Sequence, residues 1–159
     1  MLKSKHEISF RVYYEDTDLG GIVYHANYLK FAERARTEWL RELGLEQSYL
    51  KTHGGLSFLV HHLEIAYQSP AKLDDLITIE TTLEELKKAS LKMKQILKRQ
   101  DKTLATLSVT IACVNSLGKP SPLPNYFPNS KSQRSPSTIR KVSGDAFKDS
   151  RSAIPGSAV

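Results

Sequence analysis

A single apolar stripe with helical spacing constrains this chain more than any other feature of its sequence. From Asn27 onward, apolar residues recur three and four positions apart, and charged residues fill the positions between them. The apolar positions are Tyr28, Phe31, Ala32, Ala35, Trp39, Leu40 and Leu43. Gly44 follows, at the position where helices commonly end on a left-handed residue. The stripe therefore predicts one helix of about 17 residues with one buried face.

Most of the remaining sequence between residues 8 and 114 alternates between apolar and polar positions, as strands do. We predict strands at about residues 8–14, 58–68, 76–83, 90–99 and 104–114, and a short helical turn at 46–52. The inward positions predicted for the last three strands are Ile77, Ile79, Thr81, Leu83, Leu91, Met93, Gln95, Leu97, Ala105, Leu107, Val109, Ile111 and Cys113. Such strands form an antiparallel sheet with one solvated face. One long helix packed on that sheet is an α+β fold.

The basic charge of the chain is concentrated in its C-terminal part. Residues 1–118 carry 16 Lys+Arg and 15 Asp+Glu, a net charge of +1, whereas residues 119–159 carry 7 and 2, a net charge of +5. Six of the seven prolines also lie at or after Pro120. We therefore predict a folded domain over 1–118 and a Pro/Ser/Lys-rich basic tail over 119–159. Within the tail, 119–127 is expected to lie extended on the domain and 128–159 to be disordered.

The same features exclude several classes of protein. The near-neutral body lacks the basic patch of a nucleic-acid-binding protein. No apolar run approaches the ~20 residues of a membrane span, and we expect no signal peptide and a cytoplasmic location. No metal-ligand spacing is present, and His61 and His62 are expected on opposite faces of a strand. Cys113 lies in an apolar alternating run and is expected to be a buried structural thiol.

The most unusual segment is the loop that precedes the predicted helix. Asp16, Asp18, the Gly20–Gly21 pair and His25 fall within ten residues of each other. Glycines let backbone N–H groups approach a ligand closely. A helix beginning near Tyr24 and His25 would present unpaired N–H groups, which stabilise a developing oxyanion. A nearby carboxylate can act as a base or a nucleophile, so the segment suits attack of water on a carbonyl.

An ordinary structural interpretation of the same loop is also open at this point. Asp-x-x-Gly-Gly between a strand and a helix is common turn chemistry. Asp16 could form the turn, Asp18 could cap the helix, and His25 could be a surface residue. Residue types alone do not decide between the two.

Residues 14–28, Tyr-Glu-Asp-Thr-Asp-Leu-Gly-Gly-Ile-Val-Tyr-His-Ala-Asn-Tyr, closely resemble the signature of the hotdog-fold acyl-CoA thioesterases. The 4-hydroxybenzoyl-CoA thioesterase branch is nearest, and within it the small thioesterases associated with the bacterial Tol-Pal system. Residues 31–38 resemble their central helix, and residues 67–75 resemble the exit of their second strand. The resemblance covers about residues 6–118 and leaves the tail unassigned.

The resemblance implies a hotdog fold, in which an antiparallel sheet of about five strands wraps a long central helix. It implies homodimers whose sheets join, often paired again into tetramers, with active sites at the subunit interface. The implied reaction is hydrolysis of an acyl-CoA thioester to a carboxylate and free CoA, with no metal or redox cofactor.

The resemblance also implies roles for individual residues. Asp18 matches the catalytic aspartate and would act as the base for water or as a nucleophile. The backbone N–H near His25 matches the group that polarises the carbonyl, and the His25 side chain could assist proton transfer. Tyr24 and Tyr28 are expected to shape the acyl pocket. Asp16 is interpreted as structural.

Further expectations concern charged residues. Glu33 is expected to form an ion pair with Arg34 or Arg36 rather than to catalyse. Cations near the pocket mouth would bind the phosphates of CoA. The candidates are the cations Lys72, Lys87 and Lys88 and the neutral Ser90 hydroxyl, which could donate a hydrogen bond.

Two alternatives compete with the thioesterase hypothesis. One is a hotdog dehydratase or hydratase, which would need a different acid and histidine arrangement. The other is a non-catalytic module that binds acyl-CoA or an acyl carrier protein, which has no need of a carboxylate beside a thioester carbonyl. An acyl carrier protein is also possible as the substrate carrier of a thioesterase.

Overall fold

The computed structural model describes residues 5–125 and residue 127. The elements along the chain are β1 (Lys5–Arg11), a 3-10 turn (Tyr14–Asp16), α1 (Asn27–Glu42), α2 (Gln47–Gly54), β2 (Ser57–Tyr67), β3 (Leu76–Leu86), β4 (Ser90–Arg99) and β5 (Lys102–Val114).

The five strands form one antiparallel sheet in the order β1-β3-β4-β5-β2. The long helix α1 lies on one face of this sheet and buries its apolar stripe there. All the inward positions predicted for the last three strands are buried except Leu83, which is half-buried. The α+β architecture and the inward faces of these strands are therefore confirmed.

The core beneath α1 has two halves. One cluster contains Tyr28 and Phe31 from the first part of α1, and the other contains Trp39 and Leu40 from the second part. Between them Arg36, buried on α1, donates to Gln95 Oε1 at 2.8 Å. Gln95 Nε2 in turn donates to Thr81 Oγ1 and to the carbonyl of Ala32, both at 3.0 Å. We call Arg36, Gln95 and Thr81 the polar seam.

The chain from 8 to 26 differs from the sequence prediction at two points. The first strand ends at Arg11 instead of continuing to 14, because the Asp16 N–H donates to the Tyr13 carbonyl and closes a turn. The helix α1 begins at Asn27, not near Tyr24 and His25. The Asn27 N–H donates to the Tyr24 carbonyl, so a separate turn precedes the helix.

Residues 119–125 together with Phe127, here named the strap, lie against the end of the sheet where β4 begins. The Leu123 N–H donates to the Lys88 carbonyl at 2.8 Å. Phe127 is buried, with its ring centre 5.8 Å from that of Trp39 and 6.2 Å from that of Phe58. This agrees with the extended piece predicted there. The disorder predicted for 128–159 concerns residues outside the described part of the chain.

Candidate active site

A tight turn presents Asp18 at the surface. The Asp18 N–H donates to the Ile22 carbonyl at 2.9 Å, and the Gly21 N–H donates to the Asp18 carbonyl at 3.0 Å. Gly21 has a φ of 76°, which favours glycine. The Gly20 N–H donates to Asp18 Oδ1 at 2.8 Å. The turn therefore fixes one carboxylate oxygen, while Oδ2 makes no hydrogen bond within the described chain.

The backbone oxygen of Asp16 holds the residues that precede α1. It accepts from the Tyr24 N–H and from Asn27 Nδ2, both at 2.9 Å. The buried Asp16 carboxylate accepts from the Tyr13 N–H at 2.8 Å. These bonds agree with the structural interpretation of Asp16.

His25 and Ala26 lie in the turn between Tyr24 and Asn27. Their N–H groups donate to no acceptor within the described chain. Free N–H groups beside a helix start are donors for an oxyanion. These N–H groups lie in the turn before α1 and not in the first turn of the helix, where the sequence analysis expected them.

Two tyrosines at the site each hydrogen-bond the backbone of another segment. Tyr28 lies on α1, and its hydroxyl accepts from the Ala71 N–H at 2.9 Å. Tyr67 ends β2, and its hydroxyl donates to the His25 carbonyl at 2.8 Å. The two rings meet edge to face with their centres 5.4 Å apart. Burial raises the pKa of both phenols, so both hydroxyls stay protonated at neutral pH.

A cavity of about 420 Å³ lies between these segments. Its lining residues are Asp18, Ile22, Val23, His25, Tyr28, Tyr67, Gln68, Ser69 and Pro70. The structure thus brings Asp18, His25 and Tyr28 together at one site. Tyr24 is not among the lining residues. The residue is 47% exposed, and its ring packs edge-on against the His25 imidazole with the ring centres 4.4 Å apart.

Comparison with known proteins identifies the family. The model of the thioesterase-like superfamily matches residues 12–130. The chain belongs to this superfamily. It is 48% identical over 123 residues to the acyl-CoA thioesterase YbgC of Haemophilus influenzae, an alignment that covers 77% of this chain and 90% of that protein. It is 42% identical over 116 residues to the acyl-CoA thioester hydrolase YbgC of Escherichia coli O6:H1, covering 72% and 86%.

Solved structures of thioesterases share the fold. A probable thioesterase from Bartonella henselae superposes with a TM-score of 0.74 at 42% identity, covering 76% of this chain and all of that one. The hotdog fold expected from the sequence is thereby confirmed.

The loop from 68 to 75 carries Lys72 beside the cavity residue Ile22. Lys72 forms a β-bridge with Ile22, and its N–H donates to Asp75 Oδ2 at 2.8 Å. Asp75 Oδ2 also accepts from Arg99 Nη1 at 2.5 Å. Burial raises the pKa of Asp75, but these two hydrogen bonds and the Arg99 charge outweigh it, and the net pKa is lowered. The Lys72 side chain is exposed and is not among the residues that line the cavity.

The structure does not bring Lys88 and Ser90 to the same cavity within one chain. Tyr67, at the cavity, pairs with Ala105, whereas Ser90 pairs with Ala112 further along β5. Ala105 and Ala112 are seven residues apart along β5, and seven residues of strand span roughly 20 Å, so Ser90 lies far from the cavity. Lys87 and Lys88 instead lie beside the strap at the opposite end of the sheet.

Glu33 and Cys113 lie outside the cavity lining, one in an ion pair and the other in the core. Glu33 forms an ion pair with the buried Arg36, as expected, and the Arg34 guanidinium lies 5.7 Å from the centre of the Phe31 ring. Cys113 is buried, as expected, and burial raises the pKa of its thiol.

Among residues 5–125 and 127, no group of three or more His, Cys, Asp or Glu side chains could hold a metal ion. In the same ranges no helix has the length and apolar character that a bilayer crossing requires.

Sequence reasoning missed Tyr67, Gln68, Ser69 and Pro70 as parts of the site. Residues 67–75 resemble the exit of the second strand of the hotdog thioesterases, but that resemblance gave these four residues no role. Alternation alone assigns Tyr67 only to one face of a strand. The pairing of β2 with β5 places it against the turn at His25.

Proposed function

We propose that this chain is an acyl-CoA thioesterase, which hydrolyses an acyl-CoA thioester to a carboxylate and free CoA. The observation that carries the proposal is that Asp18 and His25 line one cavity, beside N–H groups that have no partner in the described chain. The printed names of the YbgC relatives, acyl-CoA thioesterase and acyl-CoA thioester hydrolase, support it.

The geometry suggests how the reaction proceeds. The thioester carbonyl oxygen would accept a hydrogen bond from the His25 N–H, which stabilises the negative charge as the carbonyl is attacked. Asp18, held through Oδ1, keeps Oδ2 for chemistry. It either removes a proton from the attacking water or attacks the carbonyl itself to form a mixed anhydride that water then cleaves. The His25 imidazole would deliver a proton to the departing CoA thiolate.

The walls of the cavity suit an apolar acyl group. Val23, Tyr28, Tyr67 and Pro70 supply apolar and aromatic surface beside Asp18. Tyr24 packs on His25 just outside this lining and would extend the wall at the mouth. Acyl groups that fill this surface should be preferred.

We further propose a homodimer that pairs through β2. This strand is at the sheet edge, and Leu59 and Val60 are 51% and 50% exposed there. Antiparallel pairing of two β2 strands would reverse the second sheet. The Lys88 and Ser90 end of the second copy would then lie on the side of the first cavity, where both could contact CoA. Pairing of dimers into a tetramer would leave this arrangement intact.

A cytoplasmic location is part of the proposal, since a nucleotide thioester with several phosphate charges does not cross a bilayer unaided. An acyl carrier protein would present the same thioester through a phosphopantetheine arm. The domain proposed for the reaction is residues 1–118, with the basic tail outside the chemistry.

The test is release of free thiol from short-chain, long-chain and aromatic acyl-CoAs by the wild type and by Asp18→Asn. We expect Asp18→Asn to lose at least about 100-fold in kcat, because an amide neither accepts the proton of water nor attacks the carbonyl. The circular dichroism spectrum should be unchanged. Asp101→Asn, at an exposed hairpin, is the matched control and should keep wild-type activity.

The other outcomes are equally informative. Equal activity in the wild type and Asp18→Asn would remove Asp18 from the mechanism. Binding of acyl-CoA without hydrolysis by the wild type would favour the non-catalytic module. Hydration of an enoyl-CoA without thiol release would favour the dehydratase.

A single-turnover experiment separates the two routes open to Asp18. With enzyme in excess and rapid acid quenching, the nucleophilic route predicts an acyl mass on the peptide that contains Asp18. The base route predicts no adduct, with CoA and carboxylate released together.

A further inference from the structure

Tyr67 makes the only side-chain hydrogen bond to His25 among the residues that the structure describes. It is the last residue of β2, paired with Ala105, and the following Gln68 N–H donates to the Leu104 carbonyl at 2.8 Å. The Tyr67 phenol therefore projects from a fixed point on the sheet. Its hydroxyl donates to the His25 carbonyl at 2.8 Å, and its ring centre lies 6.4 Å from that of the imidazole.

This bond adds to the turn at His25, which the Asn27 N–H closes by donating to the Tyr24 carbonyl at 2.8 Å. Tyr24 and Asn27 on either side are bound to the backbone oxygen of Asp16. His25 between them makes no other hydrogen bond within the described chain. The Tyr67 hydroxyl is therefore the polar contact that limits rotation of the residue whose N–H and imidazole reach the cavity.

We propose that Tyr67 is a positioning residue for thioester hydrolysis: by holding the His25 carbonyl, it keeps the His25 N–H and imidazole directed at the substrate carbonyl. This rests on the proposed function. The phenol is suited to the task because its raised pKa keeps the donating proton in place at neutral and mildly alkaline pH. Tyr28 differs, since its hydroxyl accepts from Ala71 and fastens the opposite wall.

The test is Tyr67→Phe, which removes the hydroxyl and keeps the ring that lines the cavity. Loss of one aligning hydrogen bond should lower kcat about tenfold. KM should stay within about twofold, because the apolar wall that binds the acyl group is retained. Tyr49→Phe is the matched control: Tyr49 is exposed on α2, outside the cavity lining, and its loss of a hydroxyl should leave kcat and KM unchanged.

A second readout reports on the geometry directly. In ¹H–¹⁵N spectra, Tyr67→Phe should shift the amide signals of His25 and Ala26. It should leave those of Met93 and Val109, in the core half that contains Trp39, in place. Melting by circular dichroism gives the folded fraction of each variant, to which kcat is referred.

Three results would overturn the proposal. They are a wild-type kcat in Tyr67→Phe, a rise in KM alone, and a loss of activity that only follows the folded fraction. Each leaves the thioesterase function standing if the wild type is active and Asp18→Asn is not. Absence of hydrolysis by the wild type would overturn the proposed function and this inference with it.

Discussion

The two halves of the core beneath α1 are held together by different means. The half beside the cavity is held by directed hydrogen bonds. The Asp16 backbone oxygen, the Tyr28 hydroxyl and the Asp75 carboxylate accept, and the Tyr67 hydroxyl donates. The far half is closed by aromatic packing of Trp39, with Phe58 and the strap residue Phe127. The half beside the cavity thus adds defined hydrogen-bond directions to its buried apolar core, whereas the far half is closed by aromatic contacts.

The exposure of large apolar residues also differs between the two halves. Leu19 is fully exposed, and Ile22 and Tyr24 are 37% and 47% exposed around the cavity. At the far end, Leu45 and Phe127 are buried. Burying these cavity residues would add hydrophobic stabilisation of about 25 cal/mol per Å². The cavity end leaves these side chains exposed, although the core beneath it is as fully buried as the far half.

Removing the far-end aromatic closure should have the largest effect on folding. Phe127→Ala should lower the free energy of unfolding by about 3 kcal/mol, because it leaves a cavity between Trp39 and Phe58. Chemical denaturation measures the change. The kcat per folded molecule should be retained, since Phe127 lies far from Asp18.

Leu117→Ala is the control, because Leu117 is 78% exposed in the connection after β5, and its free energy of unfolding should stay near that of the wild type. If Phe127→Ala were equally neutral, the strap would not belong to the core and the far half would have to be redefined.

Breaking the polar seam between the halves should have an intermediate effect. Arg36→Met keeps most of the volume but leaves Gln95 Oε1 buried without its donor, which should cost about 2 kcal/mol. The double variant Arg36→Met/Gln95→Leu should recover part of this, because the unpaired amide is removed as well. A double-mutant cycle by denaturation measures the coupling, and strict additivity would contradict the seam.

The smallest effect concerns the hydrogen-bonded half and is set by pH. The folded-state pKa of Asp75 lies below its ordinary value of 3.8, so its contribution to stability is present above that pH. It is lost as the pH falls through the lower folded-state value. Asp75→Asn should therefore cost about 1 kcal/mol at pH 6 and progressively less in acid. Parallel stability curves for the two proteins between pH 6 and pH 2 would contradict this.

Local periodicity was sufficient to predict α1 and the inward faces of β3, β4 and β5. Each of these needs only the spacing of residues along one segment, as with Ile77 and Ile79 or Leu91 and Met93. The first strand was misplaced because a side chain, Asp16, closes a turn that apolar alternation at Val12 and Tyr14 does not reveal.

The site was predictable only where it lies within one segment. Asp18 and His25 could be proposed from the loop that contains them both. Tyr67 comes from a strand more than forty residues away, and its contact with His25 depends on strand pairing. The separation of Lys88 and Ser90 from the cavity likewise depends on the register in which β4 and β2 pair with β5. Pairings of this kind are decided by non-local packing, which a single sequence pattern does not encode.

The glycine after Leu19 limits how the reaction centre can diverge. A methyl group at Gly20 would stand 3.1 Å from Asp18 Oδ1, so any side chain there disturbs the carboxylate. Tyr28 and Pro70, by contrast, line the cavity from segments outside that turn. Under the proposed mechanism, we expect mutations that change substrate preference and mutations that abolish the reaction to fall at separate positions. A lineage built on this scaffold can exchange one acyl substrate for another while its hydrolytic chemistry stays the same.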